Sequence, residues 1–319
     1  MNVLSLFDGM SCGQIALNRA GFKINKYYAC EIDKYAIQIA QANYPNTIQL
    51  GDVTKVSALD LPSLDLVIGG SPCQGFSFAG KQLNFEDPRS KLFFEFVRLL
   101  KEARVKNPNV KFLLENVKMK KEYQDVISEY LGVEPIEINS ALVSAQNRIR
   151  FYWTNLEGVT QPDDKGLVLR DIFDVKNVNY DLSGYDHLLL KNEKDGFLEG
   201  AKRIDYLRET LYSHKKGRGI SYCAGLIERD TPSGISRQID RVYCIDYKGP
   251  CLTKFDNRIK LTDPESKKIY YLPHAGYEAK QTVPEGYTRC VSEAKGREML
   301  GNGWTVDVIV HILKSDLSL

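Results

Sequence analysis

Along residues 1–155, short and nearly unbroken apolar runs alternate with longer amphipathic ones. VLSLF (3–7) leads to GQIALNRAG, KYYACEI (26–32) to DKYAIQIAQANY, and LDLVIGG (64–70) to a helical stretch around KLFFEFVRLLKEA. VKFLLEN (110–116) then precedes KKEYQDVISEYLG, and RIRFYWTN (148–155) closes the series. Strands apolar on both faces, each followed by a helix, predict a parallel sheet covered on two sides, a doubly wound α/β architecture. From about 160 to 285 the alternation fades, and polar turn-rich stretches such as HKKGRG (214–219) and RDTPSGIS (229–236) predict a smaller region, mostly irregular and β. The apolar period returns in MLGNGWTVDVIVHILK, where Val306, Ile309, Val310 and Leu313 stand at i, i+3, i+4 and i+7, the face of a helix that covers the sheet. The expected organisation is a main unit over 1–160, a second over 161–288, and a terminal helix over 289–319 that returns to the first.

Charge changes this picture little. Lys and Arg number 43 against 41 Asp and Glu, a net +2, so any surface suited to a polyanion must be local. The start of the chain lacks the basic segment of a signal peptide and no apolar stretch reaches membrane length, which makes a cytoplasmic location with no membrane partner the expectation. Seven cysteines occur without a CxxC pair, so neither a zinc site nor a disulfide framework is expected.

In doubly wound sheets ligands sit beyond the carboxyl ends of the strands, and those ends here read DGMSCG, EID, GD, GGSPCQG and ENV. FDGMSCG opens a helix but lacks the GxGxxG spacing that brings backbone close to a pyrophosphate. Glu31, at the end of the second run, can accept both hydroxyls of a ribose, and Asp52 can take the amino group of an adenine. Either acid alone could equally cap a helix. Two acids beside a glycine turn without a phosphate cradle suit adenosine joined to a cation, and S-adenosylmethionine fits that description. Cys73 follows Pro72, which fixes φ, and precedes a glycine-containing loop, so its thiol is a candidate nucleophile. Glu115 ends the next strand. In QNRIR, Gln146, Arg148 and Arg150 are two apart and share one face of a strand.

The ordered set FDGMSCG, CEID, GD, SPCQGFS, ENV, QNRIR and LGNGWTV resembles the DNA cytosine-5 methyltransferases. That resemblance implies a Rossmann-like, S-adenosylmethionine-dependent fold with a target recognition domain in the middle region. It implies Cys73 attacking C6 of a flipped-out cytosine, Glu115 at N3 and Arg150 at the O2 edge, with Arg148 also in the catalytic set. The cofactor is expected to touch Phe7, Asp8, Gly9, Met10, Ser11, Gly13, Glu31, Ile32, Asp52, Val53, Pro72, Leu92, Asn302 and Trp304. Duplex DNA is the expected partner, met by Gln74, Ser77, Gln146, Lys215, Lys216, Arg218, Arg237 and Arg241; each of these charges could also be an ordinary solvated group. The loop from Gln74 to Arg89 is the expected lid. A restriction endonuclease is an expected companion, and a monomer on DNA the expected state. A tRNA-methylating branch of the family carries a CFT motif that is missing here, and a non-catalytic homologue would have lost Cys73, Glu115, Arg150 or Glu31. The family's RxLTxxECxRLQ motif is degenerate: YLPHAGYEAKQTVPEGYT keeps Leu272, Gln281 and Pro284 but loses the acid and the arginine, which bears on how the middle region docks.

Overall fold

The computed structural model describes residues 1–72, 92–173, 223–226, 241–254, 258–263 and 269–316. Seven strands, β1 (Asn2–Leu6), β2 (Lys26–Cys30), β3 (Ile48–Gln49), β4 (Leu66–Gly69), β5 (Lys111–Val117), β6 (Ile136–Asn139) and β7 (Ile149–Thr154), form one sheet in the order β3-β2-β1-β4-β5-β7-β6. The chain direction of the winding reverses between β1 and β4, the crevice where such sheets bind ligands. β1 to β5 run parallel; β1, β2, β4 and β5 are apolar runs read from the sequence, and β3 is too short to be one. β7 instead runs antiparallel to both β5 and β6. The reason is the short connection from β6 to β7, which contains no crossover helix and so can only join antiparallel neighbours. β6 itself, IEIN, has too short an apolar run to stand out in the sequence.

Strand alternation splits the core into two layers. Leu4, Leu6, Val67, Phe112, Leu114, Phe151 and Trp153 face α3 (Leu92–Lys106) and α4 (Lys121–Leu131). Val3, Leu66, Ile68, Leu113 and Tyr152 face the other way, toward α1 (Cys12–Ala20), α2 (Lys34–Asn43) and the end of the chain. There the chain forms α5 (His274–Lys280), α6 (Glu293–Asn302) and α7 (Val306–Ser315). The predicted terminal helix is two: Gly303 ends α6, and a turn separates it from α7. α7 buries Val306, Val308, Ile309, Ile312 and Leu313, so its inward stripe is centred on Val308 and Ile312 while Val310 is only half-buried. It lies along α1, where Arg19 bonds Asp307 at 2.5 Å and the Thr282 carbonyl at 2.8 Å. Among the described residues no helix is long and apolar enough to cross a membrane.

A second sheet holds β8 (Cys223–Leu226), β9 (Arg241–Cys244), β10 (Lys260–Thr262) and β11 (Ile269–Tyr271) in the order β11-β10-β9-β8. After β9 the chain runs as a strap, residues 245–254, against the main sheet. Gly249 N donates to Ala145 O at 2.7 Å, Asn147 N to Gly249 O at 2.9 Å, and Arg170 N to Ile245 O at 2.8 Å. Arg170 adds ion pairs to Asp246 (2.7 Å) and Asp263 (2.8 Å). The degenerate motif supplies its own anchor here: Lys280 is fully buried and its Nζ donates to Pro250 O at 2.7 Å. Glu278, also buried, accepts from Gly286 N, Thr288 N and Thr288 Oγ1 and so fixes the turn after α5.

α6 meets the strap backbone to backbone. A methyl group on Gly301 would overlap the Thr253 carbonyl and lie 2.8 Å from Lys254 N. Helix propensity alone would make Gly301→Ala stabilising by about 1 kcal/mol. Because the obstacle is main chain, the overpacking cost wins, and urea unfolding is expected to show the variant less stable by about 1–3 kcal/mol.

Candidate active site

The turn after β1 is strained. Phe7 (φ 57°) and Ser11 (φ 62°) adopt the left-handed conformation, with Gly9 (φ 59°) between them. Non-glycine residues hold such angles only where surrounding bonds over-determine them, and such positions cluster at ligand sites. The bonds are visible: Asp8 accepts from Tyr27 OH at 2.8 Å and from Ser11 Oγ, and Tyr287 OH donates to Met10 O at 2.6 Å. Gly13 lets α1 press on β4, since a methyl group there would crowd Ile68 and the Tyr27 hydroxyl. The side chains of Asp8, Met10 and Ser11 are therefore buried, which leaves their main chain as the part able to meet a ligand.

Glu31 closes this turn from the end of β2. Its Oε2 accepts from Gly9 N (2.8 Å) and its Oε1 from Ile32 N and Asp33 N (each 2.8 Å). Beside it Ile32 is 77% exposed, an apolar side chain at the lip of the crevice with nothing over it among the described residues. Space opens around Gly9 and Gly51, where an added methyl group would meet no atom within 4 Å. Asp52 is half-buried, and its Oδ1 accepts from Thr54 N (3.0 Å) and Thr54 Oγ1 (2.8 Å), bonds that hold the carboxyl below the usual range. It thus caps the 3₁₀ turn Val53–Lys55. Val53 is buried in the α3 layer, Leu92 is packed against that layer, and Asn302 is exposed.

Glu115 and Arg150 meet across the β5–β7 pair. Glu115 is opposite Tyr152, so Arg150, two residues before Tyr152, is its diagonal neighbour on the same face. Arg150 Nε lies 2.9 Å from Glu115 Oε1 with both side chains mostly buried. Gly69, Gly70, Ser71 and Pro72 lead from β4 along this pair, and Asn116 Nδ2 bonds Ser71 Oγ at 3.2 Å. Cys73, Gln74 and Ser77, the loop to Arg89, and Lys215, Lys216, Arg218 and Arg237 lie outside the described residues; so does the side chain of Arg241, which begins β9.

QNRIR behaves differently from its sequence reading. Gln146 is wholly buried: its Nε2 donates to Lys280 O (2.9 Å) and Gln281 Oε1 (3.1 Å), and its Oε1 accepts from Leu252 N (2.7 Å). The structure places it under the strap rather than on a DNA-facing surface. Arg148, 4% exposed, donates to Leu252 O (2.9 Å), Gly303 O (2.9 Å), Gly301 O (3.4 Å) and Cys251 Sγ (3.3 Å). It shares the face of Arg150 but is spent on main chain, away from Glu115. The alternation argument is sound, but the strap covers that face.

Two contacts around the Glu115–Arg150 pair escaped the sequence reading. Trp304 Nε1 donates to Glu115 Oε2 at 3.1 Å. Cys251 Sγ lies 3.9 Å from Arg150 Nη2; burial raises its thiol pKa, but Arg148, Arg150 and Lys280 outweigh burial and leave it below the ordinary value. A signal existed: the small-Pro-Cys pattern of SPC at 71–73 recurs as GPC at 249–251. Cys12 and Cys30, by contrast, are pushed up to about 12 by burial and are inert.

The sequence pattern of C-5 cytosine-specific DNA methylases matches residues 1–129. The chain is similar to the type II methyltransferase M1.ScrFI of Lactococcus lactis subsp. cremoris, 28% identical over 330 residues that cover 99% of this chain and 78% of that protein. A stronger but local likeness, 43% over 120 residues, joins 37% of the chain to 26% of the orphan methyltransferase M.SPRI of Bacillus phage SPR. Among solved structures, DNMT2 of Spodoptera frugiperda superposes with a TM-score of 0.65 at 18% identity, covering 98% of both chains.

Burial drives the Asp8 carboxyl from 3.8 up to about 6 against the pull of the Ser11, Ser5 and Tyr27 hydroxyls, with Glu31 adding to the rise. The folded protein then keeps a proton that the unfolded chain releases, so this stability is complete below about pH 4 and is lost as pH rises through about 6. In Asp8→Asn that slope is expected to vanish: the unfolding free energy of wild type minus variant should fall by about 3 kcal/mol between about pH 4 and pH 7. A flat difference in urea titrations would contradict this account.

Proposed function

For a chain that belongs to the C-5 cytosine-specific DNA methylases, and is thus a DNA cytosine-5 methyltransferase, we propose that Cys73, Glu115 and Arg150 act together on a cytosine extruded from duplex DNA. The observation that carries the reading is the Glu115–Arg150 pair at 2.9 Å, set beside the β4 exit that leads through Pro72 to Cys73. C5 of cytosine is a poor nucleophile because the ring resists giving up its electrons. A thiolate added to C6 by Cys73 breaks the C5=C6 double bond and makes C5 electron-rich; once C5 is methylated, loss of its proton to water restores the double bond and expels the thiolate. Glu115 engages the N3 edge and Arg150 the O2 edge, contacts that strengthen as charge develops on the ring. C6 is out of reach inside a duplex, so the nucleotide must be flipped, at about a few kcal/mol offset by the contacts it gains.

The methyl donor that fits the first turn is S-adenosylmethionine, which when bound supplies an electrophilic sulfonium methyl group. The fit rests on Glu31, whose Oε2 keeps a lone pair beyond its one backbone bond, on the apolar lip of Ile32, on the open space over Gly9 and Gly51, and on the half-buried Asp52. Phe7, Pro72, Leu92, Asn302 and Trp304 complete the proposed contact set. The middle region, with Lys215, Lys216, Arg218, Arg237 and Arg241, is the proposed reader of the DNA sequence. A type II restriction partner, as the relatives' names suggest, is part of the same proposal.

The test is methyl transfer to duplex DNA against tRNA, with trapping on duplexes containing 5-fluorocytosine. Wild type is expected to methylate the duplex and to form the covalent adduct. Cys73→Ala should lose both activities, and Glu115→Gln should lower kcat by about 100-fold or more. Transfer confined to tRNA, or an unchanged rate in Cys73→Ala, would overturn the reading.

A further inference from the structure

Glu115 is held on its two oxygens by an ion pair and by a hydrogen bond from residues far apart in the sequence. Arg150 Nε pairs with Oε1 at 2.9 Å, and the indole Nε1 of Trp304, 189 residues away, donates to Oε2 at 3.1 Å. The terminal torsion of a glutamate is soft, so one contact would leave the carboxylate plane free to turn, whereas a cation against one oxygen and a hydrogen bond to the other restrain it. The indole is itself held rigidly from behind. Arg148 Nη2 and Gln281 Nε2 both donate to Gly303 O, at 2.9 and 3.1 Å, and Gln281 Nε2 also donates to Leu300 O at 2.6 Å. Thr305 Oγ1 returns a bond to Gln281 Oε1 at 2.8 Å. Gly303 lets this turn sit against α1, since a methyl group there would come within 2.9 Å of Met10 Cε and 3.2 Å of Cys12 Sγ. Below the bond, Gly70 leaves room for it: an added methyl group would stand 2.9 Å from Trp304 Nε1 and 3.0 Å from Glu115 Oε2.

We infer that Trp304 is a positioning residue for Glu115, its indole N–H and the Arg150 guanidinium together orienting the carboxylate toward the base. This rests on the proposed role of Glu115 and reaches beyond it. It assigns the N–H of Trp304 a task separate from any contact its ring makes with a methyl donor. The arrangement makes the C-terminal turn part of the acid's geometry.

Trp304→Phe keeps the ring and removes the N–H. A hydrogen bond to a charged group is worth enough that kcat on duplex DNA is expected to fall about 10-fold or more, while KM for S-adenosylmethionine stays within about twofold. Gly70→Ala, which drives a methyl group into the bond, is expected to show the same split. The chain has 2 tryptophans, so 15N-tryptophan labelling gives two indole signals. One should vanish in Trp304→Phe, and that same signal should move upfield in Glu115→Gln. A wild-type kcat in Trp304→Phe, a loss confined to KM for the methyl donor, or an indole signal indifferent to Glu115→Gln would each overturn the inference. If Trp304→Phe fails to fold, the Gly70→Ala kinetics and the Glu115→Gln spectrum decide it alone. Wild-type protein that leaves duplex DNA unmethylated would instead sink the proposed function, and the spectrum would still report whether the bond exists.

Discussion

A single buried guanidinium, that of Arg148, ties together three parts of the chain that are remote in sequence. It stands at the foot of β7, reaches the strap at Leu252, and reaches the end of α6 at Gly301 and Gly303. No carboxylate lies against it among the described residues; its charge is met by carbonyl dipoles and a thiol. Such an arrangement is stable only while every donor is matched, because an arginine buried without partners is far costlier than a surface one. The positions of the C-terminal turn, the strap and the second sheet all follow from that requirement.

Around it gathers a cationic cluster with little acid. Burial, opposed by Cys251 and reinforced by Arg148, brings the Lys280 ammonium down to about 7. Arg150, the outermost of the three cations, is the one that meets Glu115. The gradient runs from a dry interior, where positive charge is held by backbone, to the crevice, where it is paired with a carboxylate beside the exit of β4. An acid in that position faces the open end of the sheet with its partners already chosen.

The strand-end residues were legible in the sequence because four parallel strands, β1, β2, β4 and β5, are apolar runs, and their ends are marked by glycine and acids. Glu31, Asp52 and Glu115 stand where that logic puts them, and Glu31 binds the glycine turn directly. The antiparallel return through β6 and β7 was not legible, since IEIN alternates too briefly and a reversal depends on connection length rather than on composition. Gln146 and Arg148 show a different limit. Period two assigns a face, but what covers that face is decided by the strap, some hundred residues later. Trp304 invites reading as a stacking ring, and its N–H partner could be seen only in three dimensions.

The close seating of the strap bears on how this architecture can be recombined. A methyl group on Gly249 would stand only 2.8 Å from Lys280 Nζ and 2.9 Å from Leu169 Cδ2, and Gly301 abuts main chain at 253–254. A module grafted between the flanking helices would have to inherit residues 248–254, Lys280 and Gly301 as one cassette. Splice points inside that cassette would separate parts that are shaped to each other, whereas junctions placed outside it leave the interlock whole.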